Sequence, residues 1–105
     1  MKGTLVITSR MADASPRLLE LVKHIQKEDQ DVAILFVGDG VYSIVEGSAS
    51  HSMLLPMAPL TVFGCKSDIE TRGIGGKVPP GTSIVDYDKI VELIMEGYSR
   101  VLSYF

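Results

Sequence analysis

Apolar residues along this chain fall into two kinds of run: short unbroken blocks, and longer stretches that repeat every three to four positions. Leu5–Thr8 is short, apolar and β-branched, which predicts a first strand. Residues 32–37 (Val-Ala-Ile-Leu-Phe-Val) form a continuous apolar run without alternation, the pattern of a strand covered on both faces. Leu60–Gly64, stopping at Cys65, and Thr82–Val85 predict two more strands. Leu18, Val22 and Ile25 recur at helical spacing, with Leu19 and Leu21 widening the stripe. Ser15 as cap and Pro16 in the first turn open that helix, which runs to about Lys27 and leaves Lys23, Lys27 and Glu28 solvated. Val41, Ile44 and Val45 predict a short helix through Glu46, after a Gly38-Asp39-Gly40 turn. Ser67-Asp68-Ile69-Glu70 reads as a capping box with Ser67 as cap, and Gly73 ends the helix it starts. Asp86 or Asp88 caps a last helix with Ile90, Val91, Ile94 and Met95 as its apolar face and Gly97 as its stop.

Other segments are less regular. Gly47–Ser52 reads as a small-residue loop, and Met53–Pro59, broken by two prolines, as a short edge piece or a loop packed on a partner. Gly75-Gly76 loosens the following loop, and Pro80-Gly81 suits the centre of a type II turn. Val101–Phe105 is an apolar tail, either an edge strand or an interface segment. The alternation of strands and helices with short connections predicts an α/β fold, a three-layer sandwich with a mainly parallel sheet, as one domain over residues 1–105.

Composition adds an expectation about assembly. The chain has 105 residues, 46% of them hydrophobic, and a mean hydropathy of +0.24. A domain this small buries roughly two-thirds of its unfolded surface, so part of the apolar excess is expected at a subunit interface. Net charge is −3, and Lys and Arg are scattered, which argues against direct binding to nucleic acid through phosphate neutralisation. No apolar stretch approaches the roughly 18–20 residues of a membrane span, and the Leu5-Val6-Ile7 run is too short for a secretory core. One cysteine precludes an internal disulfide, so a reducing cytoplasm is expected.

In open parallel sheets, sites form at the carboxyl ends of the strands. Ser9-Arg10, Gly38-Asp39-Gly40 and Gly64-Cys65-Lys66 reach that edge, and Cys65 is the one good nucleophile among them. A helix start beyond it and Lys66 beside it would favour a thiolate. Such a thiolate could hold a sulfane sulfur as a persulfide. The same position suits a buried, inert cysteine equally well. No C-x-x-C is present, and Cys65 and Arg72 have six residues between them, one more than a phosphatase loop uses. His24 and His51 are too scattered to predict a metal site; His51 could approach the sheet edge as a helper, whereas His24 reads as solvated or packed. Gly38-Asp39-Gly40 could cradle an anion, but no phosphate-loop or dinucleotide fingerprint accompanies it. Thr8-Ser9-Arg10 could bind an anion after the first strand, but reads more simply as the end of that strand. No cofactor and no metal are expected.

The segment Val62–Ile74 (VFGCKSDIETRGI), followed by Ile84-Val85-Asp86-Tyr87 and an apolar helix, resembles the DsrE/DsrH-like superfamily, and within it the small TusB/DsrH subunits. The Gly38-Asp39-Gly40-Val41 turn is similar to a turn of that group. The resemblance covers most of the chain and is densest from Leu60 to Leu93. It implies a flavodoxin-like, YchN-like fold and an oligomer, either of this chain alone or with DsrE/DsrF-like subunits. It also implies passage of persulfide sulfur between donor and acceptor proteins, for 2-thiolation of the tRNA wobble uridine or for sulfur oxidation. TusB-like subunits generally lack a cysteine before the Arg-Gly helix, whereas DsrE and TusD relatives carry one there. Cys65 stands at the DsrE/TusD spacing from Arg72-Gly73. Cys65 is therefore the candidate catalytic residue, and Gly38, Asp39, Lys66 and Arg72 are candidate binding residues. Three readings follow: a sulfur carrier acting through Cys65, a non-catalytic scaffold subunit of a sulfurtransferase complex, and a small-ligand-binding flavodoxin-like module.

Overall fold

In the computed structural model, which describes residues 3–29 and 31–105, the predicted strands assemble into one parallel sheet. They are β1 (Thr4–Thr8), β2 (Val32–Phe36), β3 (Thr61–Cys65), β4 (Thr82–Val85) and β5 (Arg100–Tyr104). Their order is β4-β3-β2-β1-β5. The register sets Thr8 beside Phe36 and Tyr104, Phe36 beside Gly64, and Cys65 beside Val85, so the carboxyl ends of the strands form one edge. The apolar tail is thus the strand β5.

The layering follows from the handedness of the connections. β1, β2, β3 and β4 step in one direction across the sheet, so right-handed crossovers send α1 (Pro16–Glu28), α2 (Ala49–Leu54) and α3 (Lys66–Thr71) to the same face. The return from β4 to β5 reverses the direction and sends α4 (Tyr87–Glu92), prolonged by a π turn over Leu93–Gly97, to the other face. The core is correspondingly divided. Val6, Ile34 and Phe36 pack with Leu18, Val22, Ile25, Ile44, Leu54 and Ile69 on the first face. Leu5, Ala33, Leu35, Phe63, Cys65 and Val85 pack on the second, under Ile90 and Leu93. The predicted three-layer α/β sandwich is therefore present, with a thick layer on one side and a single helix on the other.

Several local expectations hold. Pro16 opens α1 behind Ser15, although the Ser15 side chain makes no capping hydrogen bond. Asp86 caps α4: its Oδ1 accepts from the Lys89 backbone N–H at 2.9 Å. Gly73 follows α3 with φ +66°, the left-handed conformation that glycine adopts without steric cost.

Others are corrected. The Gly38 turn and the helix after it are one 3₁₀ segment, Gly38–Ile44. Gly47–Ser52 is not a plain loop: Ser48 Oγ accepts from the His51 N–H at 3.1 Å and starts α2. The small polar residues of α2 hide its helical period, since Ser50 and Leu54 are its buried positions. Met53–Pro59 ends α2 and continues as a 3₁₀ turn, Leu55–Met57, rather than as an edge strand. Pro79–Thr82 closes by a 3.1 Å bond from Thr82 N–H to Pro79 C=O, but Gly81 is not left-handed, so the turn is not type II. The capping box is absent as well. β3 runs straight into α3, Cys65 occupies the cap position and Ser67 is exposed. In the last helix, Ile90 and Leu93 are buried, whereas Val91, Ile94 and Met95 face outward.

Candidate functional site

The carboxyl edge of β2 and β3 is held by one acidic side chain. Gly38 leaves β2 with φ +55°, and its N–H donates to Asp68 Oδ2 at 2.8 Å. Asp68 lies on α3, one turn before Arg72, so their side chains meet at i, i+4 with Nη1 3.6 Å from Oδ1. Arg72 Nη1 also donates to the Asp68 carbonyl at 3.2 Å. The rest of the guanidinium turns to Asp39: Nη2 donates to Oδ1 at 2.9 Å and Nε to the same oxygen at 3.1 Å. The Tyr42 ring lies 5.9 Å from the guanidinium carbon. The Asp39 hydrogen bond, with the negative field of both carboxylates, raises the Arg72 pKa above its ordinary value. The fold therefore brings Gly38, Asp39 and Arg72 together. Asp68 and Tyr42 complete the cluster without having been singled out in the sequence. For Asp68 the available signal was its i, i+4 spacing to Arg72, masked by its apparent place in a capping box.

Cys65 borders this cluster but points elsewhere. Strand alternation sends Gly64 to the first face, where a Cβ would meet Ile44 and Ile69, and Cys65 to the second, among Phe63, Val85 and Leu35. The thiol is 1% exposed. Burial is the largest influence on it and pushes its pKa up; the backbone N–H groups of Asp68 and Ser67 pull down, while the Asp68 carboxylate pushes up again. The environment thus favours the neutral thiol, against the expectation of an accessible thiolate. α3 has only six residues and supplies little dipole. Lys66 opens α3 with an exposed side chain, and no ion pair joins it to the cluster among the described residues.

The remaining candidates separate in space. Arg10 does not present an open anion site: its Nε donates to the Phe105 carbonyl at 2.8 Å, and its guanidinium lies 5.9 Å from the Tyr104 ring centre. His24 is exposed on α1. His51 lines an apolar groove of about 220 Å³ with Ile44, Leu54, Leu55, Leu60 and Val62. That groove opens on the first face, so His51 is not a partner of Cys65. Among the described residues no group of three or more His, Cys, Asp or Glu gathers around a metal-sized centre. No helix among them is long and apolar enough to cross a membrane.

Chemically, the cluster is a lock between the loop after β2 and helix α3. The positive charge of Arg72 is already answered by two carboxylates, which lowers its capacity for an external anion. The nucleophile beside the lock is buried, and burial pushes its pKa up.

Comparison with known proteins agrees with this fold. The solved structure of the YchN protein from Escherichia coli superposes with a TM-score of 0.77 over 99% of this chain and 100% of that one, at 18% identity. A protein of unknown function from Methanobacterium thermoautotrophicum superposes with a TM-score of 0.72, again at 18% identity, covering 99% and 100% of the two chains. Both likenesses bear on the fold, which is YchN-like as expected. In sequence, Protein TusB from Salmonella arizonae and Protein TusB from Salmonella newport are each 36% identical to this chain over 81 residues, covering 77% of it and 78% of the relative. The family described as DsrH like protein matches residues 12–99, which takes in every residue of the Gly38–Asp39–Asp68–Arg72 lock and Cys65. The chain belongs to the DsrH-like family, a membership that supports a role in sulfur relay.

Proposed function

We propose that this chain is a structural subunit of a sulfur-relay assembly, completing a complex with DsrE/DsrF-like subunits rather than carrying sulfur on its own thiol. The burial of Cys65 carries this reading: a 1% exposed thiol, held neutral by its surroundings, is poorly placed to attack a donor persulfide. The similarity to TusB proteins favours the branch that feeds 2-thiolation of the tRNA wobble uridine. The donor and acceptor proteins would then meet thiols on the partner subunits, with this chain shaping the assembly.

The test combines two measurements. In a strain lacking the chain, Cys65→Ser should restore tRNA 2-thiouridine as well as the wild type does, read by mass spectrometry of digested tRNA. The purified wild type, incubated with a cysteine desulfurase and cysteine, should gain no sulfur. A gain of one sulfur atom on Cys65, with the thiol of the donor regenerated, together with loss of thiolation in Cys65→Ser, would overturn the proposal in favour of a carrier.

A further inference from the structure

We propose that the outward face of α4 and its π turn docks a different protein chain whose apolar strip is bordered by Lys or Arg. This deepens the scaffold reading and rests on it.

The face has two parallel rows. Tyr87, Val91 and Met95 follow one another at i, i+4, i+8 and are 64, 57 and 70% exposed, with Ile94 beside them. Asp88, Glu92 and Glu96 follow at the same spacing, one residue on, and are also exposed. Lys89 offsets part of this charge through Glu92, at 3.5 Å. The helix is anchored from beneath by Ile90 and Leu93, so the apolar row cannot roll inward without giving up that core contact. On the same side of the sheet, Ile7, Val37 and Val101 are only partly buried against the core beneath the helix. Exposed apolar side chains aligned along one helix face and bordered by charge mark a protein contact.

The charge selects the occupant. An antiparallel two-fold pairing of this face with a second copy sets both acidic rows on the same side of the contact, carboxylate against carboxylate, and like-charge juxtaposition is costly. Phosphate-bearing surfaces are repelled for the same reason. A partner with basic residues beside its apolar strip satisfies both rows at once.

The experiment uses the full chain co-expressed with DsrE- and DsrF-like subunits, with assembly followed by native mass spectrometry and sedimentation. Val91→Glu with Met95→Glu should weaken assembly at least about tenfold. The helical circular dichroism should be unchanged, since both side chains are exposed. Glu92→Lys with Glu96→Lys should weaken it too, and wild-type affinity should fall as salt is raised from about 50 to about 500 mM. Leu55→Glu, equally exposed but on the opposite face, should bind as the wild type does. Wild-type affinity in the Val91/Met95 double variant would overturn the docking face and leave the scaffold reading standing. So would a wild type that dimerises alone through those residues. A wild type that never joins the subunits would overturn both readings.

Discussion

Arg72 closes on Asp39 across two loops, with Nη2 2.9 Å and Nε 3.1 Å from a single carboxylate oxygen, while its Nη1 reaches back along its own helix to the Asp68 carbonyl. One guanidinium therefore ties the loop after β2 to α3. Because the Asp39 side chain is 77% exposed, the pair is worth little to global stability. Arg72→Ala should lower Tm only slightly. Its main effect should be local, as faster amide hydrogen exchange at Gly38–Tyr42. Unchanged exchange there would mean that the lock does not order the loop.

Asp68 acts on two neighbours, and a conservative change separates them. Asp68→Asn keeps an oxygen for the Gly38 N–H and removes the negative charge beside Cys65. The Cys65 pKa should fall, and alkylation at pH 8–9 should quicken by a small factor, about threefold. An unchanged or slower rate would show that burial alone governs the thiol.

Alkaline pH should weaken the fold through its buried acids. Burial raises the pKa of the Cys65 thiol above its ordinary 9.0 and that of the Tyr98 phenol above its ordinary 10.0, Tyr98 also through the charge of Asp31. Each group keeps its proton longer in the folded than in the unfolded chain. Its contribution is therefore fully present below the unfolded value and is lost as pH rises through the folded one. Denaturation midpoints should be flat in this respect from pH 7 to 8 and fall above about pH 9, less steeply in Cys65→Ala.

Helix starts offer a contrast between two serine or aspartate sites that look alike in sequence. Asp86→Ala removes a 2.9 Å capping bond and should cost about 1 kcal/mol. Ser67→Ala removes no capping bond and should leave the denaturation midpoint where it is. A comparable loss at Ser67 would restore the capping box that the structure lacks.

Gly64 lets β3 pass close under the first-face helices. A Cβ there would stand 2.5 Å from Ile44 Cδ1 and 2.9 Å from Ile69 Cδ1. Both contacts are flexible side-chain ends, so Gly64→Ala should fold with a loss of about 1–3 kcal/mol. Urea titration with an unchanged m-value checks this.

Residues 32–37 were legible because burial on both faces leaves an uninterrupted apolar run, and α1 because Leu18, Val22 and Ile25 repeat at its period. α2 was not, because Ser50 serves as a buried position that no hydrophobic pattern marks. Its hydroxyl bonds Asp13 across 37 positions of sequence, and pairing at that distance has no local signature.

The sequence by itself determined the strands, the principal helices, the family resemblance and the identity of the one thiol, since each rests on short-range periodicity or on residue type. Only the tertiary structure decided which way each of them faces. Strand alternation and the single reversal of crossover direction turn Cys65 inward beneath α4. They also leave Val91 and Met95 outside, because a lone helix turns one stripe of its side chains to the sheet, and Ile90 and Leu93 form that stripe.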